Sequence, residues 1–292
     1  QMDDPSAGTT LRPSRGTHIV LDKSFLPGDS AIMVPKTDDG RVLFAIPWHD
    51  RVVVGTTEAE VEEVSMEPTP GHEELDFLLT HAQRYLAKDP GPEDVRSVYA
   101  GIRPLVAPPG SNGDTSDISR EHQLNVSDSG LVTISGGKWT TYRKMAEDTI
   151  DRAARHAELA RRPSPTDDLR LHGWHQDAER FGDLALYGAD AEALEALMEE
   201  HPRLQEPLDE RLPIRAGQVV WAARHEMART VEDVLSRRTR CLLLDAQASI
   251  DVAPQVAELM AEERDLPASW VDDQVDAFTE VASKYLMPSV PA

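Results

Sequence analysis

The chain has 292 residues, with 52 acidic against 30 basic side chains and a formal net charge of −22. Such a charge repels phosphate backbones, so we expect no nucleic-acid partner. Hydrophobic residues make up 40% of the sequence, which supports a substantial core and excludes a disordered polyanion. No stretch approaches the roughly 18 apolar residues that a membrane-spanning helix requires, and residues 1–10 lack the basic and apolar regions of a signal peptide.

Residue usage indicates the environment of the protein rather than its activity. Cys241 is the single cysteine of the sequence and cannot form an intramolecular disulfide, which favours a reducing cytoplasm. Only 6 of the 30 basic residues are lysines. An arginine bias combined with a large acid excess suits a high-salt cytoplasm, where a dense acidic surface stays hydrated.

Runs rich in β-branched residues predict strands in the first half of the chain. Asp39-Gly40 separates two of these runs and is a strong hairpin signal, so a meander of three antiparallel strands is expected there. The predicted strands are 17–21, the meander strands 31–34, 41–46 and 51–57, and then 95–106, 119–126 and a buried strand 131–134.

Apolar residues at helical spacing predict helices in the rest of the chain. The Pro-rich run 161–166 is the best linker candidate. The predicted helices are 72–86 and 142–157 before the linker, and 189–198, 219–235, 252–262 and 270–285 after it. We therefore predict an α+β fold, in which an antiparallel sheet domain with flanking helices precedes a small all-helical C-terminal domain of about five helices.

The segment around Gly136, Gly137 and Lys138 lies between a predicted strand and a predicted helix. Glycines at such a junction let a ligand approach the backbone, and the helix start attracts anionic groups. The segment is not a P-loop, because Trp139 stands where a Ser or Thr is required. From spacing alone, an ordinary turn is the alternative interpretation.

Three cations beside Pro, Gly or Ser form a second candidate feature: Arg103, Arg120 and Lys138. In a chain with few bases, three cations on connected elements could surround one small anion such as a phosphate or a carboxylate. The alternative is that all three are solvated or form salt bridges.

His18 lies near the start of the first predicted strand and could act as a general base near neutral pH. A structural histidine is the alternative. The other histidines lack the paired spacing of a zinc site, so no metal is expected. We also expect no nucleophilic role for Cys241, because its sequence context resembles a helix end with basic residues.

Six short runs occur in an order and at a spacing that a known family shares. They are Gly16-Thr17-His18-Ile19-Val20, Ile46-Pro47-Trp48, Gly55-Thr56-Thr57, Gly101-Ile102-Arg103-Pro104-Leu105, Ile118-Ser119-Arg120 and the run 136–144. On these runs the chain resembles the FAD-dependent glycerol-3-phosphate dehydrogenases. The match is dense over residues 14–157, and residues 222–235 resemble the C-terminal helical domain of that family.

The resemblance implies oxidation of glycerol 3-phosphate to dihydroxyacetone phosphate, with hydride transfer to FAD and onward transfer of electrons to a quinone. It implies catalytic roles for Arg103 and for His18, the latter as proton acceptor. The implied substrate-binding residues are Arg120, Lys138 and Thr141. The implied contacts to the flavin come from Gly136, Gly137, Lys138, Trp139 and Thr140.

One departure from the family concerns its nucleotide-binding fingerprint. Family members begin with a strand, a G-x-G-x-x-G turn and a helix that hold FAD, and this sequence contains no such run. We therefore expect a C-terminal portion of the enzyme, inactive as an isolated fragment. Its implied parts are an irregular lead-in (1–16), the substrate-binding domain plus the last strand and helix of the FAD-binding domain (17–158), a linker (159–172) and the helical domain (173–292).

Two other functions stay open at this point. A glycerol-3-phosphate oxidase would use the same residues and pass electrons to oxygen, whereas a non-catalytic binding or interaction module would keep the fold without the reaction. Another flavin oxidase of the same broad fold is less favoured, because the three cations suit a phosphate better than a neutral amine.

The resemblance also implies peripheral association of a cytoplasmic protein with the inner face of the cell membrane, and it leaves a homo-oligomer open.

Overall fold

The structure is a computed structural model, and it describes Asp3 and residues 11–107 and 121–288. The chain forms two compact units. Unit 1 comprises Gln1–Arg15, Glu58–Ser65 and Ile102–Leu171, and unit 2 comprises Gly16–Thr57, Met66–Gly101 and His172–Ala292. Two strands, β1 (Leu11–Asp22) and β6 (Ser97–Val106), begin in one unit and end in the other.

An antiparallel sheet forms the first part of unit 2. Its strands follow the order β2-β3-β4-β1, where β2 is Ile32–Val34, β3 is Leu43–Trp48 and β4 is Arg51–Gly55. Every pairing between these neighbours is antiparallel, so the predicted meander is confirmed.

One face of this sheet packs into a hydrophobic core. Side chains alternate between the faces of a strand, and the residues that point to this face are apolar and fully buried. They are Ile19, Leu21, Val52 and Val54. The helix α1 (His72–Tyr85), which the sequence predicted, packs its buried Leu75 and Leu78 into the same core.

The opposite face of the sheet carries His18. His18 pairs with Gly55 across β1 and β4, and Gly55 pairs with Phe44 across β4 and β3. Directly opposed residues share a face. Phe44, Ile46 and Met33 are exposed, whereas Val20 of β1 on the same face is fully buried. This face of unit 2 is therefore open and mainly apolar over β2 and β3, and His18 lies at one end of it.

The helical part of unit 2 has a hydrophobic core of its own. Its α-helices are α3 (Ala191–Glu199), α4 (Pro202–Gln205), α5 (Ala216–His225), α6 (Cys241–Leu244), α7 (Ala246–Arg264) and α8 (Ala268–Ala282). The predicted helices 189–198, 252–262 and 270–285 correspond to α3, α7 and α8. Together with the antiparallel sheet and α1, these helices confirm the predicted α+β fold class.

The prediction of one helix over 219–235 is wrong. The helix α5 ends at His225, Met227 adopts a left-handed φ of 57°, and a single π-helical segment follows at Asp233–Arg238. The guanidinium of Arg238 donates two hydrogen bonds, of 2.6 and 2.9 Å, to the carbonyl oxygen of Glu226. This carbonyl at the end of α5 therefore has a hydrogen-bond partner. The apolar residues on both sides of the break are buried in one core, which explains why the periodicity resembled a single helix.

Unit 1 contains a hairpin and a helix. The strand β7 (His122–Val126) pairs antiparallel with β8 (Val132–Gly136), and the helix α2 (Tyr142–His156) follows. The prediction that residues 131–134 are buried is wrong, because β8 pairs only with β7 among the described residues and its side chains are half-buried or exposed. The first residues of β1 pair separately with the two-residue strand β5 (Ala59–Glu60).

None of the helices in the described ranges is both long enough and apolar enough to cross a membrane.

The packing of α1 on the sheet provides a test of this fold. We expect Leu78→Ala to lower the free energy of unfolding by about 2–5 kcal/mol, because a fully buried side chain is replaced by a cavity. Denaturant unfolding of the 292-residue chain measures the change. The exposed neighbour Thr80 supplies the control Thr80→Ala, and equal stability of the two variants would contradict the described core.

Candidate active site

His18 is half-buried on the open face of the unit 2 sheet. Its imidazole stacks on the ring of Tyr99 in β6, with ring centroids 5.0 Å apart and an interplanar angle of 11°. Burial raises the pKa of Tyr99 to about 12, so its hydroxyl stays protonated at neutral pH. The stack therefore orients the imidazole without placing a negative charge beside it.

Gly55 provides the space that the His18 ring occupies. A Cβ atom at Gly55 would overlap that ring and would lie 2.7 Å from its Nε2. Any side chain at position 55 would therefore displace the imidazole.

A buried carboxylate lies behind the same two strands. Glu74, in the first turn of α1, accepts hydrogen bonds through Oε1 from the hydroxyls of Thr17 (3.0 Å) and Thr57 (2.5 Å). Its Oε2 accepts from the backbone N–H of Gly71 at 2.9 Å. The hydroxyl oxygen of Thr57 in turn accepts from the N–H of Thr17 at 2.9 Å. The carboxylate thus connects the start of α1 to β1 and to the segment that follows β4.

The two glycines of the predicted ligand turn lie in unit 1, at the end of β8. Gly136 and Gly137 have φ values of 72° and 80°, which favour glycine. A Cβ at Gly136 would lie 2.8 Å from the carbonyl oxygen of Glu121, and one at Gly137 would lie 2.5 Å from Sδ of Met145. The backbone conformation and the packing of the chain itself therefore favour glycine at both positions, independently of any ligand.

Lys138 precedes a short 3-10 turn, Trp139–Thr141, that leads into α2. The hydroxyl oxygen of Thr141 accepts a hydrogen bond from the N–H of Lys138 at 3.3 Å, and the same hydroxyl donates to the carbonyl oxygen of Lys138 at 3.0 Å. The predicted substrate-binding group of Thr141 therefore stabilises the local turn. The two other residues of this turn that the resemblance assigns to flavin contacts are both exposed. Thr140 is exposed, and Trp139 is 85% exposed and stacks on Tyr142 with ring centroids 5.3 Å apart. The Lys138 side chain is exposed and forms no salt bridge with any residue in the described ranges.

A salt-bridge network holds α2 against the hairpin. Asp148 of α2 lies 3.1 Å from Nε2 of His122 in β7 and 3.0 Å from the ammonium of Lys144. Lys144 and then His122 lower the pKa of Asp148. Since this carboxylate is only half-buried and stays accessible to solvent, the network contributes orientation more than stability.

Arg103 is half-buried in the part of β6 that belongs to unit 1. The last residue of that strand, Val106, has a methyl group 3.7 Å from the Cβ position of Gly136. The strand that carries Arg103 therefore ends against the glycine turn that precedes Lys138. Arg120 lies outside the described residues. His18 belongs to unit 2, so the structure describes the predicted site residues as two separate groups.

The other candidate chemistries find no support in the described part of the chain. No group of three or more His, Cys, Asp or Glu side chains there could hold a metal ion. Cys241 is fully buried, and burial raises the pKa of its thiol to about 12. Because the thiolate is the reactive form, this cysteine is inert in the folded chain.

Sequence reasoning missed the residues that surround His18. Tyr99 and Glu74 carried no recognisable signal, since one resembles an ordinary strand residue and the other an acidic residue of a helix first turn. The run Gly55-Thr56-Thr57 was noted only as part of the resemblance. Only the folded structure brings these segments to His18.

The comparisons with known proteins identify the class. Residues 1–143 match the family described as FAD dependent oxidoreductase, and residues 130–271 match the C-terminal domain of alpha-glycerophosphate oxidase. The two matches overlap at the glycine turn and together include the sheet with His18. The class of protein that these two matches define is the FAD-dependent oxidoreductases.

Individual relatives narrow this class. The human mitochondrial glycerol-3-phosphate dehydrogenase is 36% identical over 98% of this chain and 41% of its own length. The mitochondrial glycerol-3-phosphate dehydrogenase of Arabidopsis thaliana is 34% identical over 90% of this chain and 46% of its own length. The X-ray structure of the glycerol-3-phosphate dehydrogenase from Bacillus halodurans complexed with FAD has a TM-score of 0.74 and 26% identity, covering 97% of this chain and 59% of that one.

The chain belongs to the family of FAD-dependent glycerol-3-phosphate dehydrogenases, which confirms the resemblance on the six runs. It spans about two fifths of the length of its human relative.

The contact between Gly55 and His18 can be tested in the 292-residue chain. We expect Gly55→Ala to displace the imidazole from Tyr99, because the added methyl group would occupy its place. NMR spectra of histidine-labelled protein would then show the His18 ring protons losing the ring-current shift of the stack. Gly28 has no atom within 4 Å of its Cβ position, so Gly28→Ala is the control. Unchanged His18 signals in Gly55→Ala would contradict the described contact.

Proposed function

We propose that this chain forms the part of an FAD-dependent enzyme that binds glycerol 3-phosphate and assists its oxidation to dihydroxyacetone phosphate. The observation that carries the proposal is the similarity to glycerol-3-phosphate dehydrogenases over 98% of the chain. It includes both the His18 face of the sheet and the turn with Lys138.

The residues at the start of α2 fit a flavin in charge and in exposure. The first N–H groups of a helix lack partners within the helix and create a positive potential, and the Lys138 side chain adds a full charge. Trp139 exposes a large aromatic surface at the same point. When bound, FAD supplies the acceptor for the hydride from C2 of the substrate.

The roles of the protein side chains follow from their chemistry. His18 accepts the proton of the C2 hydroxyl while the hydride leaves C2, so that a ketone forms. Arg103 binds close to the reacting hydroxyl, and Arg120 and Lys138 hold the phosphate, since guanidinium and ammonium groups suit that anion. The Tyr99 ring keeps the imidazole plane fixed during proton transfer.

The role of His18 predicts a specific kinetic loss. We expect His18→Gln in the FAD-loaded enzyme to lower kcat/KM for glycerol 3-phosphate by about 10²–10⁴-fold, the usual contribution of a general base. Steady-state turnover with an artificial electron acceptor measures the loss. The exposed His72 gives the control His72→Gln, and equal turnover of both variants with the wild type would refute the assignment.

We propose a quinone as the electron acceptor. This proposal is based on the similarity to the mitochondrial dehydrogenases. The match of residues 130–271 to a domain of alpha-glycerophosphate oxidase favours oxygen as the second candidate. We expect the FAD-loaded enzyme to reduce a soluble quinone in the absence of air and to form little hydrogen peroxide in air. Stoichiometric peroxide formation would favour the oxidase instead.

The location of the enzyme follows from the same proposal. Electron transfer to a membrane quinone calls for peripheral association with the inner face of the cell membrane, with the protein otherwise in the cytoplasm. Both this location and a homo-oligomer stay predictions.

A further inference from the structure

We propose that Glu74 is a positioning residue for His18. Its buried carboxylate fixes the end of the β1–β4 ladder, where His18 lies, and thereby holds the imidazole in the place from which it accepts the substrate proton. The inference rests on the proposed function of His18 and adds a residue of α1 that acts through the backbone of β1.

The position of His18 within the ladder makes such a clamp necessary. The paired residues of β1 and β4 run from Asp22 opposite Arg51 to His18 opposite Gly55, so His18 occupies the terminal pair. The strand β4 ends at Gly55, whereas β1 continues to Leu11, and a strand end such as that of β4 opens more readily than a strand centre. Beyond this pair, the contact continues through a long backbone hydrogen bond of 3.4 Å from Thr57 to Thr17 and through the side chains that Glu74 joins.

The geometry of the carboxylate exceeds what helix capping needs. Capping of α1 uses Oε2 alone, which accepts from the N–H of Gly71, and exposed glutamates perform that role in many helices. Oε1 instead accepts from Thr17, which precedes His18 in β1, and from Thr57, in the segment that follows β4. Burial of a carboxylate is costly unless such charge-assisted bonds compensate it.

The clamp and the site lie on opposite sides of β1. Successive side chains of a strand point to opposite faces, so Thr17 points toward α1 while His18 points toward the open face. Glu74 therefore fixes the backbone from behind, whereas Gly55 and Tyr99 define the place of the ring in front. A displacement of about 1 Å in a reacting group can cost roughly 10²-fold in rate.

The decisive variant is Glu74→Gln, which keeps the shape but replaces one carboxylate oxygen by an NH2 group. Either this group faces the N–H of Gly71, or the hydroxyls of Thr17 and Thr57 must turn to accept from it. In the FAD-loaded enzyme we expect kcat to fall by about 10- to 10²-fold with KM for glycerol 3-phosphate almost unchanged, because no phosphate-binding group is altered. In the 292-residue chain we expect the NMR signals of His18 to move in the direction expected for Gly55→Ala. Glu73 is exposed in the same helical turn, and Glu73→Gln is the charge-matched control that should change neither quantity.

A second pair of variants covers the case in which Glu74→Gln does not fold. Thr57→Val removes the hydroxyl that bridges Glu74 and Thr17 at constant size, and it should reproduce both effects. Thr57→Ser keeps the hydroxyl and should restore wild-type kcat and His18 signals.

The outcomes separate this inference from the proposed function. A folded Glu74→Gln or Thr57→Val variant with wild-type kcat and wild-type His18 signals would overturn the inference and leave Glu74 as a helix cap. Wild-type turnover of His18→Gln would overturn the proposed function of His18, and the catalytic part of the inference with it, whatever the NMR signals show.

Discussion

The alternation of side chains along β1 is the constraint on which the His18 site depends. Ile19 and Leu21 are fully buried against α1, and each such burial is worth about 1.5–3 kcal/mol. A slip of one residue in the β1–β4 register would exchange the faces and place His18 in the core. The hydrophobic energy that stabilises the sheet therefore also determines the direction in which the imidazole points.

The helical part of unit 2 supports the same site through β6, which also pairs with β1. The hydroxyl of Ser97 at the start of β6 donates to the carbonyl of Leu242 at 3.0 Å, and the N–H of Ala246 donates to the carbonyl of Arg96 at 3.0 Å. Tyr99 follows two residues later on β6 and stacks on His18. The helical core thus has a structural role at the site although it contributes none of the predicted catalytic residues: it anchors the strand that presents Tyr99.

The parts of the fold that depend on local periodicity could be predicted from the sequence. The meander, α1 and α2 follow from alternation, turn residues and helical spacing, since these signals act over a few residues. The burial of β8 could not be predicted, because it depends on which elements cover the strand. The break after α5 escaped prediction because both of its sides bury apolar residues in one core.

The candidate site was predictable only in part, for a related reason. His18, Arg103 and Lys138 are candidates from their sequence context and obtain their roles from the resemblance, whereas spacing alone leaves an ordinary turn as the alternative for the glycine segment. Its two glycines are in fact needed by the packing of unit 1. Glu74 and Tyr99 are distant from His18 in sequence and meet it only through the pairing of strands and the docking of α1, so no local pattern could reveal them.

The charge distribution bears on the proposed binding of a phosphate by so acidic a chain. Many of its arginines are already neutralised: Arg143 contacts Glu147 and Asp167, and Arg211 contacts Asp209 and Asp251. Such guanidinium groups attract an added anion weakly, because carboxylates lie beside them.

Lys138 has a different environment. Residues 129–146 contain no acidic side chain, in a chain with 52 acidic residues among 292. The fold brings the backbone of Glu121 to this turn, but Lys138 forms no salt bridge with any described residue. The Lys138 ammonium and the N–H groups at the start of α2 therefore keep a positive potential close to the turn, and carboxylates beyond a screening length of about 10 Å reduce it little. This local depletion of acidic residues, rather than any excess of basic ones, supports the proposed binding of a small phosphate at this turn.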